Sequence, residues 1–138
     1  MQSIRRSAGV PAVLLAVAVM LGAALPALAD ARDISVGGIF ICRITHDAPG
    51  YTSYERATQI NQRITEVLSA PRFRQGGNVV VRQAGAAATI SVGDVLVFTV
   101  MPADAQDTGM GTVDLAKYWA KLLAKGLGQA LPGSGFYF

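Results

Sequence analysis

A short repeat constrains the fold more than any other feature of this chain. The residues Ile34-Ser35-Val36-Gly37 recur as Ile90-Ser91-Val92-Gly93, at an offset of 56. The apolar residues that follow keep this offset, pairing Phe40 with Leu96, Cys42 with Phe98, and Ile44 with Val100. Each copy then runs through a polar loop into an amphipathic helix. The repeat predicts an α+β fold of two strand-plus-helix units, with two amphipathic helices packed on a small, mostly antiparallel sheet.

Local signals set the bounds of the predicted elements. Thr52 and Glu55 make a capping box at the start of the first helix, and Pro71 ends that helix. The second helix is predicted to begin at Thr112, which can cap it. The apolar stripe of this helix is formed by Leu115, Trp119, Leu122 and Leu123. Gly126 and Gly128 are expected to weaken the helix, and Pro132 is expected to stop it. Strands are predicted at 39–45, 78–83, 89–92 and 95–101, and a loop at 102–111.

The two faces of the repeated strands are predicted to differ. One face is assigned to the core and carries Phe40, Cys42, Ile44, Leu96, Phe98 and Val100. The other is apolar at first, with Ile39, Ile41, Val95 and Val97, and turns polar at Arg43 and Thr99. A half-apolar outer face is explained either by central, shielded strands or by a surface that contacts a partner or a second copy.

The first 29 residues have the three parts of a secretory signal peptide. Arg5 and Arg6 precede an apolar run at 10–25, and Ala27-Leu28-Ala29 forms the small-residue cleavage pattern. Asp30 is then the first mature residue. The alternative, an uncleaved membrane anchor, is disfavoured because a run of sixteen residues is shorter than the roughly 20 that span a bilayer. The protein is expected to be exported, to the periplasm or outside the cell.

The net charge and the length of the chain exclude some classes of function. Without Arg5 and Arg6, ten basic and nine acidic residues remain, so the mature chain has a net charge of +1. That charge predicts no nucleic-acid surface. The apolar content suits one folded domain, predicted at residues 30–132.

The side chains capable of chemistry are few. Cys42 and His46 are the single cysteine and histidine, and four residues along a strand separate them by about 13 Å, too far for direct proton transfer. Cys42 is predicted as a small core residue and His46 as a solvated loop residue. One histidine and one cysteine cannot build a structural zinc site, and no cofactor is predicted. Asp104 and Asp107 are expected in turn and cap roles.

Two further surface features allow more than one interpretation from the sequence. Arg72, Arg74 and Arg82 are expected to be solvated, or alternatively to meet an acidic partner or a lipid headgroup. Residues 133–138 are predicted as a flexible tail ending in Phe136-Tyr137-Phe138. The three aromatic residues either fold back on the core, contact a partner or stay disordered.

Several of these segments together resemble a known extracytoplasmic segment. They are Gly38-Ile39-Phe40, residues 51–57, Ile60-Asn61-Gln62-Arg63-Ile64, Val92-Gly93-Asp94 and Ala103-Asp104-Ala105. The segment is similar to one that precedes the membrane helices in some bacterial mechanosensitive ion channel family proteins of the small-conductance type. The resemblance implies a strand, a helix, a paired strand and a second helix bearing Trp119, without a catalytic role. No pore helices follow Leu131, so no conducting channel is expected.

The sequence therefore favours an exported, non-enzymatic domain that binds a membrane or envelope protein, or assembles with its own copies. The predicted contact residues are Ile39, Ile41, Val95, Val97, Phe136, Tyr137 and Phe138. One alternative is a small-molecule sensor that uses a groove between the helices and the sheet. The other is a hydrolase that uses the carboxylates of Asp104 or Asp107 near a helix N-terminus.

Overall fold

The computed structural model describes residues 30–138, and the predicted signal peptide at 1–29 lies outside the described residues. In chain order the strands and helices are β1 (Asp33–Val36), β2 (Ile39–Arg43), α1 (Ser53–Ser69), a 3₁₀ turn (Pro71–Phe73), β3 (Gly76–Ala84), β4 (Ala87–Val92), β5 (Val95–Val100), α2 (Pro102–Gln106), α3 (Thr112–Ala130) and β6 (Gly135–Tyr137). The predicted α+β class is confirmed. Within this part of the chain, no helix is both long and apolar enough to cross a membrane.

The sequence repeat corresponds to two antiparallel hairpins that share one register. In the β1–β2 hairpin Ile34 pairs with Cys42 and Ser35 with Phe40, whereas in the β4–β5 hairpin Ile90 pairs with Phe98 and Ser91 with Leu96. Both pairings skip one residue on the second strand. The skipped residues, Ile41 and Val97, are themselves separated by 56 positions. The offset of 56 residues therefore relates the strand pairing and the β-bulge of the two hairpins, as well as their residue types.

The bulges overturn the predicted faces of these strands. A bulge adds one residue to one strand and interrupts the strict alternation of side chains. Ile41 and Val97 are consequently buried beside Cys42 and Phe98. Phe40 and Leu96, which were predicted in the core, are instead 56% and 38% exposed.

The strands lie in two sheets, with the helices packed against both. β1 and β2 form a two-stranded sheet, and the second sheet has the order β5-β4-β3-β6, which is antiparallel except between β3 and β6. Helix α3 packs on β3, β2 and β4, while α1 packs on β5 and β1. Phe98 and Trp119 meet in the core with ring centroids 5.6 Å apart.

Helix α1 begins and ends where the local signals place it. The Thr52 hydroxyl accepts a hydrogen bond from the Glu55 backbone N–H, and the Glu55 carboxylate accepts one from the Thr52 N–H, so the capping box is complete. The helix ends at Ser69, and Pro71 opens the 3₁₀ turn that follows. The predicted capping box is confirmed.

The region around the second helix departs from the prediction in three ways. Residues 102–106 form α2 instead of a loop, because Pro102 suits the first helical position and the Asp104 carboxylate accepts the Met101 N–H at 2.8 Å. Gly111, not Thr112, is the N-cap of α3. The helix also continues through Gly126 and past Gly128 to Ala130.

Gly126 has a packing role that explains its place inside a helix. A Cβ atom there would lie 2.5 Å from the carbonyl oxygen of Val36, and one on Gly37 would lie 2.1 Å from the Gly126 carbonyl oxygen. The turn of the β1–β2 hairpin therefore approaches the α3 backbone directly. Two glycines permit this contact.

The C-terminal residues form an ordered strand rather than the flexible tail predicted for 133–138. β6 pairs in parallel with β3, with Gly76 opposite Gly135 and Asn78 opposite Tyr137. Gly76 has a φ of 106°, and a Cβ atom at this position would lie 1.9 Å from the Gly135 carbonyl oxygen. The described domain, Ala31–Phe138, thus extends past the predicted boundary at 132.

Candidate functional site

A buried ion pair connects α1 to the short helix α2 that follows β5. The two terminal nitrogens of Arg56 donate to Asp104, Nη1 to Oδ1 at 3.0 Å and Nη2 to Oδ2 at 2.7 Å, and the two side chains are only 7% and 3% exposed. The same guanidinium donates to the backbone carbonyls of His46 at 2.6 Å and Thr99 at 3.2 Å. Arg56 thus donates to four acceptor atoms on three segments, which fixes α1 against the β2–α1 loop, β5 and α2.

A second, exposed pair lies beside this network. His46 Nε2 is 3.0 Å from Asp107 Oδ2, and the Asp107 side chain is 77% exposed. His46 thus lies in a partly exposed loop, where the sequence predicts it, and also contacts the segment after α2. The two aspartates of the hydrolase alternative therefore have different surroundings, since Asp104 is buried on Arg56 and Asp107 faces solvent.

The cysteine is not placed to act as a nucleophile. Cys42 is buried, and this burial, with a smaller effect from the Asp104 carboxylate, raises the pKa of the Cys42 thiol well above its usual range. A thiol held protonated in an apolar site reacts slowly. Across residues 30–138, no group of three or more His, Cys, Asp or Glu side chains is arranged to hold a metal ion.

A groove runs between α1 and the outer strand β5. This α1–β5 groove has a volume of about 250 Å³, and its lining includes Tyr51, Gln59, Ile60, Arg63, Leu96 and Met101 together with Arg56 and Thr99. Arg63 crosses it, because one of its terminal nitrogens donates to the Leu96 carbonyl at 3.0 Å. Arg56 and Arg63 thus occupy two carbonyls of β5, an edge strand.

The opposite side of the same sheet has an open backbone edge. β6 pairs with β3 only at residues 76–78. Among the described residues, no strand pairs with 79–84 on that side, although β4 pairs with all six on the other. Tyr137 and Phe138, at the end of β6, are 63% and 47% exposed. A six-residue open edge thus begins where two exposed aromatic side chains lie.

The predicted contact residues do not form one surface. Ile41, Val95 and Val97 are buried in the domain's own core. They therefore do not form the apolar outer face that the sequence predicts. Ile39 and Phe136 are partly buried, and Phe136 packs against the core. Tyr137 and Phe138 are the two predicted contact residues that remain well exposed.

The three arginines noted in the sequence have separate surroundings. Arg72 donates to both carboxylate oxygens of Asp94, at 3.0 and 3.3 Å, and this hydrogen bonding lowers the pKa of Asp94. Arg74 and Arg82 are exposed, at the end of the 3₁₀ turn and in the outer half of β3. Arg82 therefore lies on the open edge.

Sequence reasoning missed Arg56 and Arg63 as important residues. Arg56 precedes Ile60 and Ile64 by four and eight positions and so lies on the buried stripe of α1. An arginine at such a position indicates a buried acidic partner, because an unpaired charge there would be costly. Arg63 follows Gln59 by four residues, which places both side chains along the groove.

The comparison with protein families assigns the chain to one of them. A family model described as "Domain of unknown function (DUF8459)" matches residues 33–130. The chain belongs to this family. The DUF8459 match begins at the first residue of β1 and ends at the last residue of α3, so it includes both hairpins and the α1–β5 groove. No curated protein and no solved structure matches the chain.

Proposed function

We propose that this protein is an exported, non-enzymatic domain that binds an extended segment of an envelope or membrane protein along the open edge of β3. The partner segment would add a strand to the sheet beyond the end of β6. Main-chain hydrogen bonds would supply affinity, and side-chain contacts with Tyr137 and Phe138 would contribute specificity.

One observation carries the proposal, namely the unpaired side of residues 79–84. An open edge presents backbone N–H and C=O groups that are ready to pair with another chain. The other outer strand of this sheet, β5, differs because Arg56 and Arg63 occupy its Thr99 and Leu96 carbonyls. The contrast favours the β3 edge as the site of strand addition.

The surroundings of the reactive side chains support a binding role over a hydrolytic one. Asp104 gives both carboxylate oxygens to Arg56, and Cys42 is buried with a raised pKa. Neither group is poised to act as a general base or a nucleophile. Export rests on the signal peptide pattern at residues 1–29, and an envelope partner agrees with the resemblance to channel ectodomain segments.

Site-specific photocrosslinking in intact cells tests the proposal. A photoreactive amino acid is placed at Arg82 on the open edge, at Tyr137 beside it, and at Gln62 on the exposed side of α1 as the matched control. We expect Arg82 and Tyr137 to crosslink to one and the same envelope protein and Gln62 not to crosslink to it. A Val80→Lys substitution should weaken the crosslink, because a charge on an edge strand opposes pairing.

Two outcomes would contradict the proposal. Equal crosslinking at all three positions would mean that the contact is unspecific. Crosslinks only to a second copy of the same chain would show that the edge serves self-assembly instead of a separate partner. Crosslinked products are identified by mass spectrometry of the tryptic peptides, which separates the two cases.

A further inference from the structure

We propose that the α1–β5 groove binds a small amphipathic carboxylate, meaning a molecule with an apolar body and one terminal carboxylate group. This inference is independent of the open edge of β3, which lies on the other side of the four-stranded sheet. It rests on the volume of the groove, on the mixture of apolar and polar side chains that line it, and on the charge of Arg63.

The apolar body is accommodated by the apolar part of the groove lining. Ile60, Leu96 and Met101 provide aliphatic surface, and Tyr51 adds an aromatic ring. The volume of about 250 Å³ lies just below the range of about 300–1,000 Å³ that is typical of drug-sized ligands. A short acyl chain or a single aliphatic side chain is therefore a better match than a larger ring system.

The carboxylate is recognised by the one groove arginine that has no acidic partner. Asp104 neutralises Arg56, whereas within residues 30–138 no carboxylate lies within ion-pair distance of Arg63. Its bond to the Leu96 carbonyl holds the guanidinium across the groove and uses one of the five N–H donors of an arginine. The remaining donors form a planar fork that matches the geometry of a carboxylate.

Gln59 adds a second donor on the same wall. It lies four residues before Arg63 on α1, so the two side chains are neighbours along the helix. Its amide makes no hydrogen bond within the described residues, and it lines the same groove. One guanidinium and one amide suit a single negative charge, whereas a phosphate group with nearly two charges usually needs more cations.

Calorimetric titration of the folded protein tests this assignment with matched pairs of probes. Octanoate is compared with 1-octanol, and N-acetyl-leucine is compared with its uncharged amide. The first pair represents a free acid, and the second represents the C-terminal residue of a peptide. We expect at least one carboxylate to bind about tenfold more tightly than its neutral counterpart, and the pair that responds identifies the source.

Two variants and one control variant separate the charge of Arg63 from its structural bond. Arg63→Gln should remove the preference for the carboxylate, and Arg74→Gln, at an exposed site outside the groove, should leave it unchanged. Gln59→Glu should also remove it, because a glutamate four residues before an arginine forms an ion pair that stabilises the helix while occupying the guanidinium. A circular dichroism spectrum and melting temperature equal to those of the unmodified protein would show that loss of binding in Gln59→Glu is not a failure to fold.

The inference is overturned if neither carboxylate binds more tightly than its neutral counterpart, or if the Gln59→Glu variant binds the carboxylate as well as the unmodified protein does. Inorganic phosphate serves as the competing anion. If phosphate displaced the carboxylate at equal concentration, the groove would recognise charge alone, and the assignment to amphipathic carboxylates would be wrong.

Discussion

Arg56 and Asp104 form an ion pair joined by two hydrogen bonds, although 48 positions separate them in the chain. Arg56 also donates to the His46 and Thr99 carbonyls, and Asp104 accepts from the Met101 N–H, so the pair joins five residues from four segments. All buried side-chain nitrogen and oxygen atoms in the described residues have a hydrogen-bond partner. This complete satisfaction lets two charges lie in an otherwise apolar interior.

Replacing Asp104 with asparagine should destabilise the domain strongly. The change leaves the Arg56 charge buried without its counter-ion, which typically costs about 3–5 kcal/mol. Asp107→Asn is the matched control, because Asp107 is largely exposed and its contact with His46 should contribute less than about 1 kcal/mol. Urea denaturation followed by Trp119 fluorescence measures both. Similar midpoints for the two variants would contradict the structural role of the buried pair.

Two glycines of α3 should respond in opposite directions to alanine. Gly126→Ala places a methyl group against the Val36 backbone and should destabilise the fold by about 1–3 kcal/mol. Gly128→Ala meets no atom within 4 Å and should stabilise it by about 0.5–1 kcal/mol, because alanine is the better helix former. Thermal unfolding followed by circular dichroism tests both. Stabilisation of both variants would mean that the hairpin does not approach the helix backbone at Gly126.

Alanine at Gly76 should release β6 from the sheet. Gly76 and Gly85 both have positive φ, so alanine strains the backbone at each position, but only at position 76 would the new methyl group collide with Gly135. Hydrogen exchange of the β6 amides should therefore accelerate in Gly76→Ala and stay slow in Gly85→Ala. Equal exchange rates in the two variants would argue against the parallel pairing.

Alkaline pH should weaken the folded state through Cys42. The fold keeps this thiol protonated, since burial raises the pKa of Cys42, whereas the unfolded chain ionises near the ordinary value of 9.0. Above pH 9 the free energy of unfolding should therefore fall by up to about 1.4 kcal/mol per pH unit from this group. The Cys42→Ala variant corrects for the other titrating groups. Parallel pH profiles for the two proteins would show that the thiol does not contribute.

The mature protein should begin at Asp30. Intact-mass measurement of protein recovered from the cell envelope or the medium should show the loss of residues 1–29. Ala29→Arg should block the cleavage, because the site requires small residues, and should leave the longer species attached to the membrane. Recovery of the full-length mass from unmodified protein would support the alternative of an uncleaved anchor.

Local features of the fold are predictable from the sequence because they depend on neighbouring residues. The capping box of Thr52 and Glu55 involves residues three apart, and the β4–β5 hairpin turns at Gly93. The pattern that recurs at an offset of 56 residues corresponds to the two hairpins, whose registers match.

Features that depend on distant residues are not predictable in this way. Nothing near Gly126 indicates that a hairpin turn will contact it, so a glycine inside α3 resembles a helix-weakening residue. The bulges at Ile41 and Val97 reverse the alternation of faces without a local signal. The sequence predicts that a groove lies between the helices and the sheet, but not which residues line it. The approach of Arg63 to Leu96, 33 positions away, follows from tertiary packing.

The way in which α1 packs on β5 while α3 packs on β2 has a consequence for the growing chain. Within the first strand-plus-helix unit α1 contacts β1, but the part of α1 that packs on β5 is covered only when β5 has been synthesised, and β2 gains its helix only when α3 follows. Closing such distant contacts is slow, because the entropy of a long loop is lost before any packing is gained. A nascent chain of this protein is therefore expected to complete its core only after α3 has left the ribosome.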